Sequence, residues 1–80
     1  MTEHDDPLYR LVADVFNVDA SGLSESSSQD TLPQWDSLGM VNLIAELELR
    51  FGVQFELLEI ADFVNLGVIR TILREKGVAV

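Results

Sequence analysis

The stretch Asp36-Ser37-Leu38-Gly39-Met40-Val41-Asn42-Leu43-Ile44-Ala45-Glu46-Leu47-Glu48-Leu49-Arg50-Phe51-Gly52 is where a polar chain becomes an apolar, periodic one. Just upstream, Ser24-Glu25-Ser26-Ser27-Ser28-Gln29-Asp30 has neither a helical nor a strand period. The spacing predicts a helix from about Ser37 to Phe51, with Val41, Ile44, Leu47 and Phe51 as its deep stripe and Met40 and Leu43 beside it. Asp36 is a good N-cap, because its carboxylate can accept an otherwise free first-turn amide. Gly52 suits the left-handed residue that ends such a helix. The Ser37 hydroxyl then stands in the first turn, near solvent, at the positive end of the helix dipole, where a phosphate ester would be favoured. From these residues alone two readings are open: a plain helix start, or a helix start that bears an anion.

Working outward, Asp6-Pro7 reads as N-cap and first helical residue of an earlier helix. Leu8, Leu11, Val12, Val15 and Phe16 form its apolar face, Tyr9, Arg10 and Asp14 fall off that stripe, and Asn17 is placed to end it. Residues 1–5, with His4, read as a frayed end. Between Val18 and Trp35 the chain promises little beyond a turn near Ala20 to Leu23, with Leu23, Leu32 and Trp35 as anchors and the serines as solvated spacer. After Gly52, Val53-Gln54-Phe55 reads as an extended connector that plugs Phe55 into the core. Leu57 to Ala61 gives a short helix, and Asn65 caps a last one with Leu66, Ile69, Ile72 and Leu73 facing inward. Arg70, Arg74 and Lys76 sit in its later turns, and Gly77 ends it. The expected fold is all-α: a small four-helix bundle of three main helices and a short third one, with a long loop between the first two. It forms a single domain over 1–80, with its core at about 6–77.

Composition narrows the function classes. The chain has 80 residues, a formal charge of −9, 48% hydrophobic residues and no cysteine. Thiol nucleophiles, disulfides and zinc-thiolate sites are therefore excluded. The negative charge argues against a nucleic-acid groove. No apolar run has the length of a membrane span, and Met-Thr-Glu-His-Asp-Asp does not read as a signal peptide, so no membrane insertion and a cytoplasmic location are expected. There is no Walker loop, no Gly-x-Ser-x-Gly elbow around Ser37 and no His-Glu-x-x-His motif. A metal loop from Asp19, Glu25 and Asp30 lacks the alternating ligands and glycine of a calcium loop. No catalytic or metal residue is expected. Any chemistry must be attached to the chain.

Asp36-Ser37-Leu38, opening the second long helix after a long loop, resembles the attachment site of acyl carrier proteins. The likeness extends from about Leu8 to Gly77. It takes in Leu47-Glu48-Leu49-Arg50-Phe51-Gly52, similar to the family's acidic stretch closing in Phe, the Phe55 connector, the acidic short helix at Glu56 to Asp62 and the amphipathic last helix. Trp35-Asp36-Ser37-Leu38-Gly39 with Val41-Asn42-Leu43-Ile44 resembles discrete, specialised bacterial-type carriers outside mainstream fatty-acid synthesis. The resemblance implies that Ser37 receives 4′-phosphopantetheine from coenzyme A through a magnesium-dependent phosphopantetheinyl transferase. The arm's thiol would then carry an acyl group as a thioester, so a chain without cysteine borrows its thiol. It also implies that Asp36 caps the helix and presents Ser37, and that Leu38 and Met40 form an apolar collar where partners dock.

Common carriers place acids along the exposed face after the serine. Here Gly39 and Asn42 take such positions, Ala45 is neutral and Leu49 replaces a further acid, while Glu46, Glu48, Glu56, Glu59 and Asp62 keep negative charge farther along. Relative to a housekeeping carrier, the resemblance thus implies a more apolar docking face, with Asp36, Leu38, Gly39, Met40, Asn42 and Glu48 facing partners. The expected partners are the transferase and acyl- or aminoacyl-activating and condensing enzymes of a polyketide, lipid or other secondary pathway, served by a monomeric, non-catalytic carrier. Two alternatives stand beside it: an aminoacyl or peptidyl carrier for an adenylating enzyme, and an unmodified helical adaptor.

Overall fold

Each of the three long helices among the described residues starts on a side chain that takes a first-turn amide. A computed structural model describes residues 6–80; the expectations for residues 1–5, His4 included, lie outside the described residues. The Asp6 carboxylate accepts from Leu8 and Tyr9 at the head of α1 (Pro7–Phe16), and Asn17 ends it in the left-handed conformation at φ 54°. Asp36 accepts from Gly39 at the head of α2 (Ser37–Phe51), and Gly52 ends it at φ 65°. Helix α3 (Leu57–Ala61) is a single short element, and Asn65 caps α4 (Leu66–Glu75) through the Val68 amide. A 3₁₀ turn at Ala20–Gly22 is the one regular piece of the α1–α2 loop among the described residues. The element order matches the expected all-α bundle.

The core joins Leu8, Leu11 and Val12 of α1 to Leu43 and Leu47 of α2 and to Leu66, Ile69 and Leu73 of α4. Leu23 and Trp35 from the loop and Phe63 before α4 close it. Burying each of these aliphatic side chains contributes about 1.5–3 kcal/mol, which is what holds a domain this small together. Phe55 packs edge-on against Phe63 at 5.1 Å, so the connector does plug the core.

Four expectations are corrected. Val41, assigned to the deep stripe of α2, is 62% exposed, and the buried line runs instead through Gly39, Leu43 and Leu47. Apolar residues occupy most of the circumference of α2, so periodicity alone did not set which way it faces. Tyr9, placed off the stripe of α1, is buried because Arg70 stacks over its ring at 5.3 Å. Arg70 is itself buried and does not serve the end of α4. The serine-rich segment is no spacer. The carbonyls of Ser27 and Glu25 accept the Leu66 and Gly67 amides at 3.1 and 2.9 Å, so the loop completes the cap that Asn65 begins.

Glu25 is the hinge of that arrangement. Its carboxylate accepts from Arg70 Nε at 2.8 Å and from the Tyr9 hydroxyl at 2.6 Å, while Arg70 also donates to Asp6. The hydrogen bond from Arg70 holds the Glu25 carboxyl below the usual carboxylate range. Burial, and then the bond to Glu25, push the Tyr9 phenol up to about 12. Asp19 and Asp30 go elsewhere. Asp19 caps the 3₁₀ turn through Ser21 and Asp30 lies exposed, and among the described residues no group of three or more acidic or histidine side chains is placed to hold a metal.

Candidate functional site around Ser37

The residues that lead into α2 are fixed one after another. The Trp35 amide donates to the Leu32 carbonyl at 2.9 Å, a turn with Pro33 at the position where its fixed φ is favoured. Trp35 is 1% exposed and stacks on Phe16 at 5.9 Å. Its indole N–H reaches the Met40 sulfur at 3.4 Å, which turns Met40 inward. Asp36 then uses both its acceptors: its carboxylate takes the Gly39 amide at 2.8 Å, and its carbonyl takes the Met40 amide at 2.8 Å. From Asp36 through Leu38 the chain lies at the surface.

Ser37 is exposed, and its hydroxyl has no hydrogen-bond partner among the described residues. The amides of Ser37 and Leu38 likewise have none there, as expected for the first positions of a helix. The result is a free hydroxyl beside two free N–H groups at the positive end of a 15-residue helix. Leu38 is 69% exposed next to it and Val41 follows one turn on. Asn42, Ala45 and Leu49 continue the exposed face without charge.

Three residues expected on this face are held by contacts within the protein. Gly39, assigned to the partner-facing surface, is buried: a Cβ there would stand 2.2 Å from the Gln34 carbonyl oxygen and 3.0 Å from the Phe16 ring. Glu48, assigned a partner-facing role, accepts the Phe55 amide at 2.9 Å and fastens the connector after α2. Met40, expected in the collar beside Leu38, is half-buried over Trp35, whereas Leu38 remains outside. The signal for Gly39 was present in the sequence, since a glycine inside a helix often marks close backbone approach, but nothing local named Gln34 as the group that approaches.

No family model and no curated protein sequence matches this chain. Among solved structures it is similar to the solution NMR structure of a holo acyl carrier protein from Geobacter metallireducens, at 30% identity. The match covers 95% of this chain and 86% of that one, with a TM-score of 0.81. The chain belongs to the acyl carrier protein family. As an acyl carrier protein it has the role of a carrier, and the fold is that of a non-catalytic one. Its four-helix fold is that of this carrier family, and the serine at the head of α2 stands exposed beside an apolar, uncharged helix face.

Proposed function

We propose that Ser37 is the residue on which this carrier holds a 4′-phosphopantetheine arm. The observation that carries the reading is the Ser37 hydroxyl itself, exposed, free of internal partners and fixed at the first turn of α2 in a chain of this family. The site suits the group: a phosphodiester on Ser37 would be anionic and would lie beside the free amides of Ser37 and Leu38. At an exposed helix end that placement contributes roughly 0.3–1 kcal/mol. When attached, the arm supplies a terminal thiol that holds an acyl group as a thioester.

The chain's own residues do the rest. Asp36 holds the first turn closed through Gly39, so the helix end is present before the transferase arrives. Leu38 and Val41 give the surroundings of the arm an apolar character, and Asn42 and Ala45 add no charge. This favours partners that dock through shape and apolar contact more than through a basic patch, consistent with a specialised biosynthetic pathway in the cytoplasm. The expected partners are a phosphopantetheinyl transferase using coenzyme A and magnesium, then acyl-activating and condensing enzymes.

The test is an intact mass. Incubation with coenzyme A, magnesium and a broad-range phosphopantetheinyl transferase should add one arm per chain, and Ser37→Ala should add none. An unchanged mass, with the transferase shown to be active on another carrier, would reject the proposal.

A further inference from the structure

The path from Pro33 to Gly39 is held at more points than helix capping needs. Gln34 presses its carbonyl oxygen onto the helix where only a glycine fits, since a Cβ at residue 39 would meet that oxygen at 2.2 Å. No carbon reaches such a distance, and the obstacle is backbone, so it cannot swing aside as a side chain would. The next residue, Trp35, is locked between Phe16 and Met40. The chain is thereby pinned at Gln34, Trp35, Asp36 and Gly39, two of them before the cap and one after it, and Ser37 stands inside this frame. Capping alone would require only Asp36.

We infer that Gly39 and Trp35 are positioning residues that set where the Ser37 hydroxyl stands for the incoming transferase. The inference rests on Ser37 being the acceptor. Gly39 allows the Gln34 carbonyl to lie against α2, and Trp35 clamps the same segment from the core side. Together they fix the distance between the helix face that a partner grips and the hydroxyl it must reach. Transfer of the phosphopantetheinyl group breaks the pyrophosphate bond of coenzyme A and forms the Ser37 Oγ–phosphorus bond. The serine proton and the adenosine bisphosphate leave, and the reaction depends on the alignment of that oxygen. A misplacement of about 1 Å can cost on the order of a hundredfold in rate.

A methyl at residue 39 displaces the Gln34 carbonyl and, with it, Trp35 to Ser37, but leaves Leu38, Val41 and Asn42 on the surface that the transferase grips. In steady-state kinetics with the carrier as varied substrate, Gly39→Ala should lower kcat on the order of tenfold or more while KM stays close to wild type. Trp35 is the chain's one tryptophan, so its emission should shift to the red in Gly39→Ala while the far-ultraviolet circular dichroism remains helical. A merely structural role would lower the melting temperature and leave kcat of the folded protein unchanged, well below that temperature. If Gly39→Ala does not fold, Trp35→Phe decides. It keeps a ring against Phe16 and loses the N–H to Met40, and its kcat should fall with KM held. Unchanged kcat in the folded variant overturns the inference while Ser37 stays the acceptor. A wild-type chain that takes no arm overturns the acceptor reading, and this inference with it.

Discussion

Arg70 Nε donates to Glu25 Oε1 at 2.8 Å across 45 positions of sequence. The pair ties the α1–α2 loop to the last helix, and the same guanidinium reaches Asp6 at the head of α1. One side chain therefore fastens three parts of the chain that are distant in sequence. Burial works against the charge of Arg70, but the two carboxylates outweigh it and hold the guanidinium protonated.

Removing that cation should be costly. Arg70→Met leaves the Asp6 carboxylate largely covered and without its cation, while Glu25, about half exposed, can recover water. A loss of about 2 kcal/mol is expected, in the range for hydrogen bonds to charged groups and below that for a fully buried pair. Urea denaturation should show it, and the melting temperature should fall by about 10 °C for a chain of this length. Arg74→Met, at an exposed site, should change stability by no more than about 0.5 kcal/mol.

Acid should loosen the same clasp. The folded carboxyl of Glu25 titrates below its unfolded value, so its contribution is present above the ordinary carboxylate range and is lost as pH falls through the folded value. Glu25→Gln should flatten the decline of the urea midpoint with acid relative to wild type. An equally steep decline in the variant would place the acid sensitivity elsewhere.

Alkali acts on the phenol. Tyr9 is the chain's one tyrosine, and its folded value is pushed up to about 12 from an ordinary 10.0. A raised value means that the stability is intact below the unfolded value, 10.0, and is lost as pH rises through about 12. Ultraviolet titration of the native protein should therefore show tyrosinate near pH 12. Appearance near pH 10 in the folded state would contradict the burial of the phenol and its hydrogen bond to Glu25.

The orientation of α2 gives a sharp contrast. Leu43 is fully buried, whereas Val41, two residues earlier, is mostly exposed. Leu43→Ala should cost about 2–5 kcal/mol, and Val41→Ala about 0.5 kcal/mol or less. Equal losses would restore the stripe expected from periodicity.

Much of this fold could be read from short-range chemistry. Asp6, Asp36 and Asn65 announce the three long helices, and Asn17 and Gly52 close two of them in the left-handed conformation, because capping involves residues within one turn. The candidate site was legible for the same reason, since the exposure of Ser37 follows from Asp36 capping the turn it opens. What escaped depends on distant partners. Arg70 reads as a helix-end cation in the sequence because its acids lie 45 and 64 residues away. The facing of α2 escaped because Leu38, Val41 and Leu49 on one side are as apolar as Leu43 and Leu47 on the other. Gly39 escaped because its neighbour is a carbonyl, which no side-chain pattern records.

Salt dependence tests the character of the docking face. With Leu38, Val41, Asn42, Ala45 and Leu49 uncharged on the surface of α2, raising salt from low to physiological strength should change KM for the cognate acyl-transferring enzyme only slightly. Leu38→Ser should raise that KM while leaving the urea midpoint in place. A steep loss of binding with salt would point instead to the acids of α3 and its flanks.

The central claim is that Ser37, and no other hydroxyl, accepts the arm. Loading the protein with coenzyme A and a transferase, cleaving after arginine, and fragmenting the peptide of residues 11–50 measures this directly, because that peptide also carries Ser21, Ser24, Ser26, Ser27, Ser28 and Thr31. The account predicts the whole added mass on fragments that contain Ser37, at one arm per chain. Mass on fragments that end before Asp36, or a peptide that stays unmodified beside a transferase proved active, would contradict it.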